Sequence, residues 1–280
     1  MSLLEAILLG IVQGLTEFLP ISSSGHLVLF QNILGMKEPM IAFDIAVHWG
    51  TLAAVLIYFA RDFFRMIGHT FLFLIHLPVK RNLDALFNQY PYALIFILVV
   101  LATIPTIVIA MVFQDAFEFF FGSLLAVGIA WIVMSIALIA SRKFQEGYRS
   151  MNLMNHRDAF LIGIAQGISI MPGISRSGVT ILLGMFLGLE KKEAARFSFW
   201  IAVPTIIGAG IFKRHEGIEF YNNHGMILVA GFMAAAITGF FAIAFLLRII
   251  QHGKFYIFGY YCLAIGLLTL IYWLVSGLLG

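Results

Sequence analysis

Residues 13–25 read Q-G-L-T-E-F-L-P-I-S-S-S-G, and residues 166–178 read Q-G-I-S-I-M-P-G-I-S-R-S-G. Aligned without a gap, the two stretches share a Gln-Gly pair at the start and a Ser-x-Ser-Gly pattern at the end. Glu17 occurs only in the first copy and Arg176 only in the second, so one copy is acidic and the other is basic. This pattern predicts two related halves that together form a single site containing both charges.

The composition places the chain in a membrane. Of its 280 residues, 61% are hydrophobic and 11% are charged. Soluble domains have about 25% charged and about 45–50% apolar residues. The apolar runs are continuous instead of alternating, which indicates spanning helices and not strands. The sequence therefore predicts an all-α integral membrane protein.

Six apolar segments are long enough to cross a bilayer, which takes about 20 residues. They are residues 42–60, 91–113, 122–141, 195–212, 226–248 and 256–277. Residues 61–90 carry several charges around a short apolar stretch, which favours an amphipathic helix at the membrane surface over a seventh span.

The two motifs interrupt two further apolar regions. Residues 2–18 and 23–35 are each too short to cross a bilayer, and Pro20 and Gly25 break the chain around their junction. We therefore expect a re-entrant helix–loop–helix hairpin that enters the membrane and turns back. Residues 158–188 repeat the pattern around the second motif. Broken backbone at membrane depth is tolerated where protein or a polar cavity surrounds it.

The order of these segments predicts a single membrane domain, residues 1–280, built from two repeats. The first repeat, residues 1–141, contains one hairpin and three spans, and the second covers residues 154–278. Because three is an odd number, the second repeat enters the membrane upside down. Inverted repeats whose broken helices meet near the midplane are typical of transporters.

The basic residues are unevenly distributed over the two sides of this topology. Thirteen fall on one side, namely Arg61, Arg65, Lys80, Arg81, Arg142, Lys143, Arg149, Arg157, Lys191, Lys192, Arg196, Arg248 and Lys254. Three fall on the other side, namely Lys37, Lys213 and Arg214. Because cytoplasmic loops are rich in lysine and arginine, both termini and the mouth of the first motif are predicted to face outside.

Glu17 and Arg176 are the charged residues predicted to lie at membrane depth. An ionised group there costs at least about 2.5–3.5 kcal/mol, so such residues usually have a function and a partner. The alternative is a structural ion pair that pins the two hairpin tips together. Buried ion pairs add little net stability, which favours the functional interpretation.

Two pairs of polar residues are spaced four apart, which places each pair on one helix face. Gln13 and Glu17 offer oxygen atoms of the kind that Mg²⁺ or Ca²⁺ binds. Asp44 and His48 begin the first full span, and they either line the cavity in a supporting role or lie at the membrane–water boundary.

Both motifs end with small polar residues suited to phosphate chemistry. In the first copy they are Ser22, Ser23, Ser24, Gly25 and His26. In the second copy they are Ser175, Arg176, Ser177, Gly178 and Thr180. A hydroxyl beside a general base is the usual arrangement for nucleophilic catalysis. The serines also suit helix N-caps, and the two roles are compatible because helix N-termini attract anions.

Two stretches carry a resemblance to a known family. They are G-L-T-E-F-L-P-I-S-S-S-G-H at 14–26 and P-G-I-S-R-S-G-V-T at 172–180. These resemble the signature motifs of the undecaprenyl-diphosphatase family, bacterial membrane enzymes associated with bacitracin resistance. The resemblance extends over nearly the whole chain, because the spans and the repeat spacing also fit. It implies a bacterial plasma-membrane enzyme that removes one phosphate from undecaprenyl diphosphate and regenerates the lipid carrier for cell-wall synthesis.

The resemblance also implies roles for individual residues. It places the divalent cation on Gln13 and Glu17, where the family pattern admits Glu or Gln at the first position. It implies that Ser23 is the nucleophile or its neighbour, His26 the catalytic histidine and Arg176 the phosphate-binding residue. The implied partners are a polyprenyl diphosphate and membrane lipid, with no nucleic acid, and a homodimer is left open.

A transporter of prenyl phosphate is the alternative function, because an inverted repeat with a midplane site is transporter architecture. A pure carrier needs Arg176 for phosphate but needs neither a nucleophile nor a proton relay. The presence of His26 close to Ser23 in sequence therefore favours hydrolysis. The residues leave open whether serine or an activated water attacks phosphorus.

The predicted orientation can be tested by cysteine labelling in sealed cells. Cysteines introduced at Asn223 and Gly280 should react with an impermeant reagent added outside, and a cysteine at Gln145 should not. Labelling of position 145 from outside would overturn the topology.

Overall fold

A computed structural model describes residues 1–36, 40–78, 82–144, 146–212 and 214–279, without the side chains of 214–224 and 277–279. These residues form thirteen α-helices and two short 3₁₀ turns, at 141–143 and 151–153. The first seven helices are α1 (Leu3–Phe18), α2 (Ser23–Ile33), α3 (Ile41–Tyr58), α4 (Ala60–His76), α5 (Leu83–Gln89), α6 (Pro91–Val112) and α7 (Gln114–Phe121). The others are α8 (Leu124–Ala140), α9 (His156–Ile168), α10 (Arg176–Phe186), α11 (Lys191–Phe212), α12 (Arg214–Gln251) and α13 (Ile257–Leu279).

The prediction of an all-helical protein with six spans is confirmed within the described residues. Six stretches are long and apolar enough to cross a membrane, namely Ile41–Tyr58, Pro91–Val112, Leu124–Lys143, Lys191–Phe212, Gly225–Gln251 and Ile257–Ser276. Each coincides with one of the six predicted segments. The segment predicted to lie at the membrane surface contains α4, whose Phe64 and Phe71 are exposed while Met66 and Phe73 are buried.

Both motifs lie at the junction of two short helices. Helices α1 and α2 have 16 and 11 residues, and α9 and α10 have 13 and 11. At 1.5 Å per residue each is about 16–24 Å long, less than the roughly 30 Å hydrocarbon core of a bilayer. The first helix of each pair begins with a capping box, formed by Ser2 and Glu5 in α1 and by Asn155 and Asp158 in α9.

The first helix of each motif packs against a helix from the other half of the sequence. Helix α1 packs on α12 from the second half, and α9 packs on α6 from the first half. Glycines make both crossings close: Gly10 lies against the backbone of Gly231, and Gly163 lies against the backbone of Ala102. Small residues are what allow membrane helices to approach to this extent. The first helix of each motif is therefore held by the opposite half of the chain.

Several residues used in the orientation argument lie outside the described residues. They are Lys37, Lys80, Arg81 and Lys213, together with the side chain of Arg214. The labelling positions Gln145 and Gly280 and the side chain of Asn223 also lie outside them. The orientation and the boundaries of the two repeats stay predictions.

The close helix crossings predict that a glycine-to-alanine substitution lowers stability at a crossing but not at an open position. In Gly163→Ala the new Cβ would overlap the backbone of Ala102, which cannot move aside as a side chain can. We expect a loss of about 1–3 kcal/mol, seen as a lower thermal midpoint in detergent. The control is Gly68→Ala in α4, where a Cβ meets nothing within 4 Å and should leave stability equal or higher. Equal midpoints for the two variants would contradict this account of the crossing.

Candidate active site

The two motif turns touch each other. The backbone N–H of Gly173 donates to the Ser22 hydroxyl at 3.1 Å, and the Ser177 hydroxyl donates to the Leu19 carbonyl at 3.1 Å. The Ser175 hydroxyl reaches the same carbonyl at 3.4 Å. These bonds join residues more than 150 positions apart. The tips of the two helix pairs therefore form one structure.

The serines that flank the helices act as caps. Ser22 precedes α2 and accepts from the Gly25 N–H at 3.3 Å, and Ser175 precedes α10 and accepts from the Gly178 N–H at 3.1 Å. Ser22 has a φ of 66°, an unusual value for a residue other than glycine. Two capped helix N-termini thus begin at the contact between the turns, and such termini attract anions.

The opposite charges of the two motifs meet at this contact. Nη2 of Arg176 lies 2.5 Å from Oε1 of Glu17, and both side chains are largely buried, at 16% and 7% exposure. Nη1 of the same guanidinium donates to the Ser198 carbonyl at 3.3 Å. One arm of the arginine fork therefore binds the carboxylate while the other is fixed by α11.

The second carboxylate oxygen of Glu17 collects two further groups. The hydroxyl of Ser23 donates to Oε2 at 2.5 Å, and Nε2 of Gln13 donates to it at 2.8 Å. Gln13 is fully buried, and its own Oε1 has no hydrogen-bond partner among the described residues. Glu17 is therefore the residue to which the other polar groups of the site connect.

His48 approaches the same oxygen from α3. Its Nε2 lies 3.7 Å from Oε2 of Glu17, and its side chain is 31% exposed. Its Nδ1 donates to the Asp44 carbonyl at 2.6 Å, while the Asp44 carboxylate accepts from Gln31 at 2.8 Å. The polar residues of α3 thus lead from the Glu17 carboxylate towards the start of that helix.

His26 has a different environment. Its Nδ1 donates to the Ser22 carbonyl at 2.7 Å, and its Nε2 lies 2.8 Å from the hydroxyl of Tyr261. Because a carbonyl can only accept, the neutral ring carries its proton on Nδ1, and the tyrosine donates to Nε2. The ring also packs edge-to-face on Trp131 and is 2% exposed. Both nitrogens of His26 are therefore engaged in holding the turn.

Comparison with known proteins identifies the family of the chain. The family model described as "Bacitracin resistance protein BacA" matches residues 6–268. The undecaprenyl-diphosphatase of Alkaliphilus metalliredigens is 40% identical over 275 residues, covering 97% of this chain and 99% of the relative. Those of Methanosphaera stadtmanae and Carboxydothermus hydrogenoformans are 39% and 36% identical, each over 97% of this chain and 98% and 97% of the relative. The chain belongs to the BacA family. The predicted resemblance is confirmed.

In this BacA-family chain the sequence-predicted residues fall into two groups. Gln13, Glu17, Ser23 and Arg176 converge on one carboxylate. The others support the turns: Ser22, Ser24, Gly25, Ser175, Ser177 and Gly178 lie in or beside the caps, and Thr180 contacts the Ser198 hydroxyl.

Three contributors were missed by sequence reasoning, namely Trp131, Ser198 and Tyr261. They come from α8, α11 and α13 and belong to neither motif, so no local pattern marks them. Asp44 and His48 were identified only as a possible supporting pair. Their spacing of four residues was the available signal, and the structure places His48 beside Glu17.

The residues present fit a divalent cation in their donor types. Glu17 supplies a carboxylate, and Gln13 supplies a buried amide oxygen that has no other partner. In the part of the chain that the structure describes, no three His, Cys, Asp or Glu side chains cluster to hold a metal. A cation here would therefore take part of its coordination from water or phosphate oxygens, as Mg²⁺ commonly does.

Replacing Arg176 by lysine distinguishes a phosphate-binding role from a purely structural ion pair. Lysine keeps the charge but loses the planar fork that contacts both Glu17 and Ser198. If the guanidinium binds the substrate, phosphate release should fall by about two to three orders of magnitude, as for loss of one preorganised donor. Turnover and the thermal midpoint are measured in the same detergent. An active lysine variant, or one that is inactive because it unfolds, would return the residue to a structural role.

Proposed function

We propose that this chain hydrolyses undecaprenyl diphosphate to undecaprenyl phosphate and inorganic phosphate. The observation that carries the proposal is the set of contacts to Glu17. One carboxylate oxygen binds Arg176, and the other accepts the hydrogen bond of the Ser23 hydroxyl. The Ser23 hydroxyl is the nucleophile, the Glu17 carboxylate is the base and the Arg176 guanidinium is the phosphate-binding group. Both of the others contact Glu17, which brings together the groups that phosphoryl transfer requires. Its relatives in the BacA family carry the name of this activity.

Substrate binding follows from where the charges lie. The prenyl tail stays in the lipid, and the diphosphate reaches the contact between the two turns. Arg176 and the positive N-terminal ends of α2 and α10 neutralise its negative charge. Because this positive charge is fixed before the substrate arrives, it stabilises the transition state with little reorganisation.

Serine attack is the route that the geometry favours. The Ser23 hydroxyl gives its proton to Oε2 of Glu17 while its Oγ bonds to the terminal phosphorus. The bond from that phosphorus to the bridging oxygen breaks, and undecaprenyl phosphate leaves. Water then attacks the phosphorus of the phosphoserine, and the bond from that phosphorus to Oγ of Ser23 breaks. Glu17 returns its proton to Oγ, and inorganic phosphate departs with the oxygen and the protons of the water. In the alternative route, Ser23 and Glu17 orient a water that attacks phosphorus directly.

We assign His26 to positioning in this mechanism. Its contacts with the Ser22 carbonyl and the Tyr261 hydroxyl fix the turn immediately before Ser23. The catalytic role implied by the family resemblance stays a prediction.

Gln13 and Glu17 would hold the divalent cation, for which their oxygen donors suit Mg²⁺ or Ca²⁺. When bound, such an ion supplies additional positive charge to the phosphate oxygens. Arg176 occupies the other oxygen of the same carboxylate, so the protein's own contribution to charge neutralisation does not depend on the ion.

The membrane arrangement belongs to the same proposal. Both helix pairs are re-entrant hairpins, and the second repeat is inverted relative to the first. The similar capping boxes of α1 and α9, and the reciprocal packing of α1 on α12 and α9 on α6, support this arrangement. With the basic loops in the cytoplasm of a bacterial cell, the site opens outside the plasma membrane. There it would return the lipid carrier to cell-wall synthesis.

Removal of the Ser23 hydroxyl tests both the reaction and its nucleophile. With a long-chain prenyl diphosphate and Mg²⁺, Ser23→Ala should release phosphate about 10²–10⁴-fold more slowly than the unmodified protein. The matched control is Ser276→Ala, whose hydroxyl donates to the Trp273 carbonyl of its own helix. Normal turnover in the Ser23 variant would contradict the proposal.

The nucleophile is identified by acid quenching with substrate labelled in its terminal phosphate. Serine attack should leave labelled phosphoserine at position 23. Active protein that never carries the label would assign the attack to water.

A further inference from the structure

His48 lies outside both motifs, and its position beside Glu17 suggests that it binds a metal ion. Its Nδ1 donates to the Asp44 carbonyl at 2.6 Å, so the neutral ring presents a lone pair on Nε2. That lone pair and the carboxylate oxygen Oε2 of Glu17 are 3.7 Å apart. Two electron-rich atoms facing each other at this distance can be joined by a proton or by a metal ion.

The distance favours the metal ion. A hydrogen bond between an imidazolium and a carboxylate would bring the two atoms to about 2.7–2.9 Å. Two ligands that each lie about 2.1 Å from one ion, at angles of 90–120°, are separated by roughly 3.0–3.6 Å. The distance of 3.7 Å between Nε2 of His48 and Oε2 of Glu17 is close to the upper end of this range and far from the hydrogen-bond distance.

Gln13 completes the set of donors. Its Nε2 already donates to Oε2 of Glu17 at 2.8 Å, and its buried Oε1 has no partner in the part of the chain that the structure describes. A half-turn of the amide exchanges its nitrogen and oxygen and would present that oxygen to the same point. An acceptor left unpaired at zero exposure is costly unless something binds it.

We propose that His48 is a third protein ligand of the divalent cation, through Nε2, together with Oε2 of Glu17 and Oε1 of Gln13. The inference rests on the proposed metal-dependent phosphatase site and names the class of ion it takes. An imidazole nitrogen is a better ligand for first-row transition ions than for Mg²⁺ or Ca²⁺, and Mn²⁺ is the ion of that series that also suits the oxygen donors of Glu17 and Gln13. Three protein ligands leave positions open for phosphate, and the 31% exposure of His48 gives an ion access.

The surroundings of the two histidines near the site agree with this assignment. Metal-binding histidines usually donate their other nitrogen to a backbone carbonyl or a carboxylate, as His48 does to Asp44. His26 is unsuited, because both of its nitrogens are taken by Ser22 and Tyr261.

Mn²⁺ itself is the probe. Purified full-length protein in detergent is titrated with Mn²⁺, and the free ion is followed by electron paramagnetic resonance. Electron spin-echo modulation of the bound ion then reports any directly bound nitrogen. The unmodified protein should show one site with a nitrogen coupling, and Mn²⁺ should bind in preference to Ca²⁺. His48→Gln should lose the coupling and that preference, and should bind Mn²⁺ at least about tenfold more weakly.

Two variants serve as controls. His252→Gln, a change at an exposed position on α12's C-terminal side, should keep both coupling and affinity. Glu17→Gln should lose most Mn²⁺ binding. Absence of a nitrogen coupling in the unmodified protein, or a coupling that survives in His48→Gln and disappears in His26→Gln, would overturn the proposal. So would a failure to bind Mn²⁺.

Phosphate release measured on the same samples separates this inference from the proposed function. Hydrolysis without a nitrogen-coupled ion would reject the third ligand and leave the phosphatase function intact. A nitrogen-coupled ion without hydrolysis of the prenyl diphosphate would support the ligand and reject the function.

Discussion

The ion pair between Glu17 and Arg176 is the constraint that the arrangement of the two motif turns has to satisfy. Each charge comes from a different half of the chain, and each lies on a short helix pair surrounded by apolar residues. Neither charge is tolerable there alone, because an unpaired buried charge costs about 3–5 kcal/mol relative to the pair. The two motif turns must therefore meet. The packing of α1 on α12 and of α9 on α6 brings them together.

A turn enclosed by other parts of the protein must also satisfy its backbone, since a buried N–H or C=O group without a partner is costly. The first motif achieves this at four successive carbonyls. Those of Leu19, Pro20, Ile21 and Ser22 face, in order, the side chains of Ser177, Cys262, Trp131 and His26. Only the last of these donors comes from the same motif. The turn is therefore held by its own histidine and by three other parts of the chain, namely the second motif, α8 and α13.

The polar side chains of the site face two different targets. Side chains such as His26 and Ser175 bond to the backbone of the turns. Others lie against the Glu17 carboxylate, among them Gln13, Ser23, Arg176 and His48. Residues of the same motif thus have different contacts according to which of these two targets they face. The difference cannot be deduced from their spacing, because Ser23 and Ser22 are neighbours in sequence.

The sequence by itself determined the helical membrane class, the six spans and the two motifs, because continuous hydrophobicity and local breaks are properties of short segments. It also identified Glu17 and Arg176, since charges in apolar surroundings are conspicuous wherever their partners lie. Tertiary structure decided what each polar group contacts. His26 is three residues from Ser23 in sequence but bonds to Tyr261, while His48, on another helix, lies beside Glu17. Trp131, Ser198 and Tyr261 reach the site only because distant helices pack there, and pairwise packing over such separations leaves no local pattern in the chain.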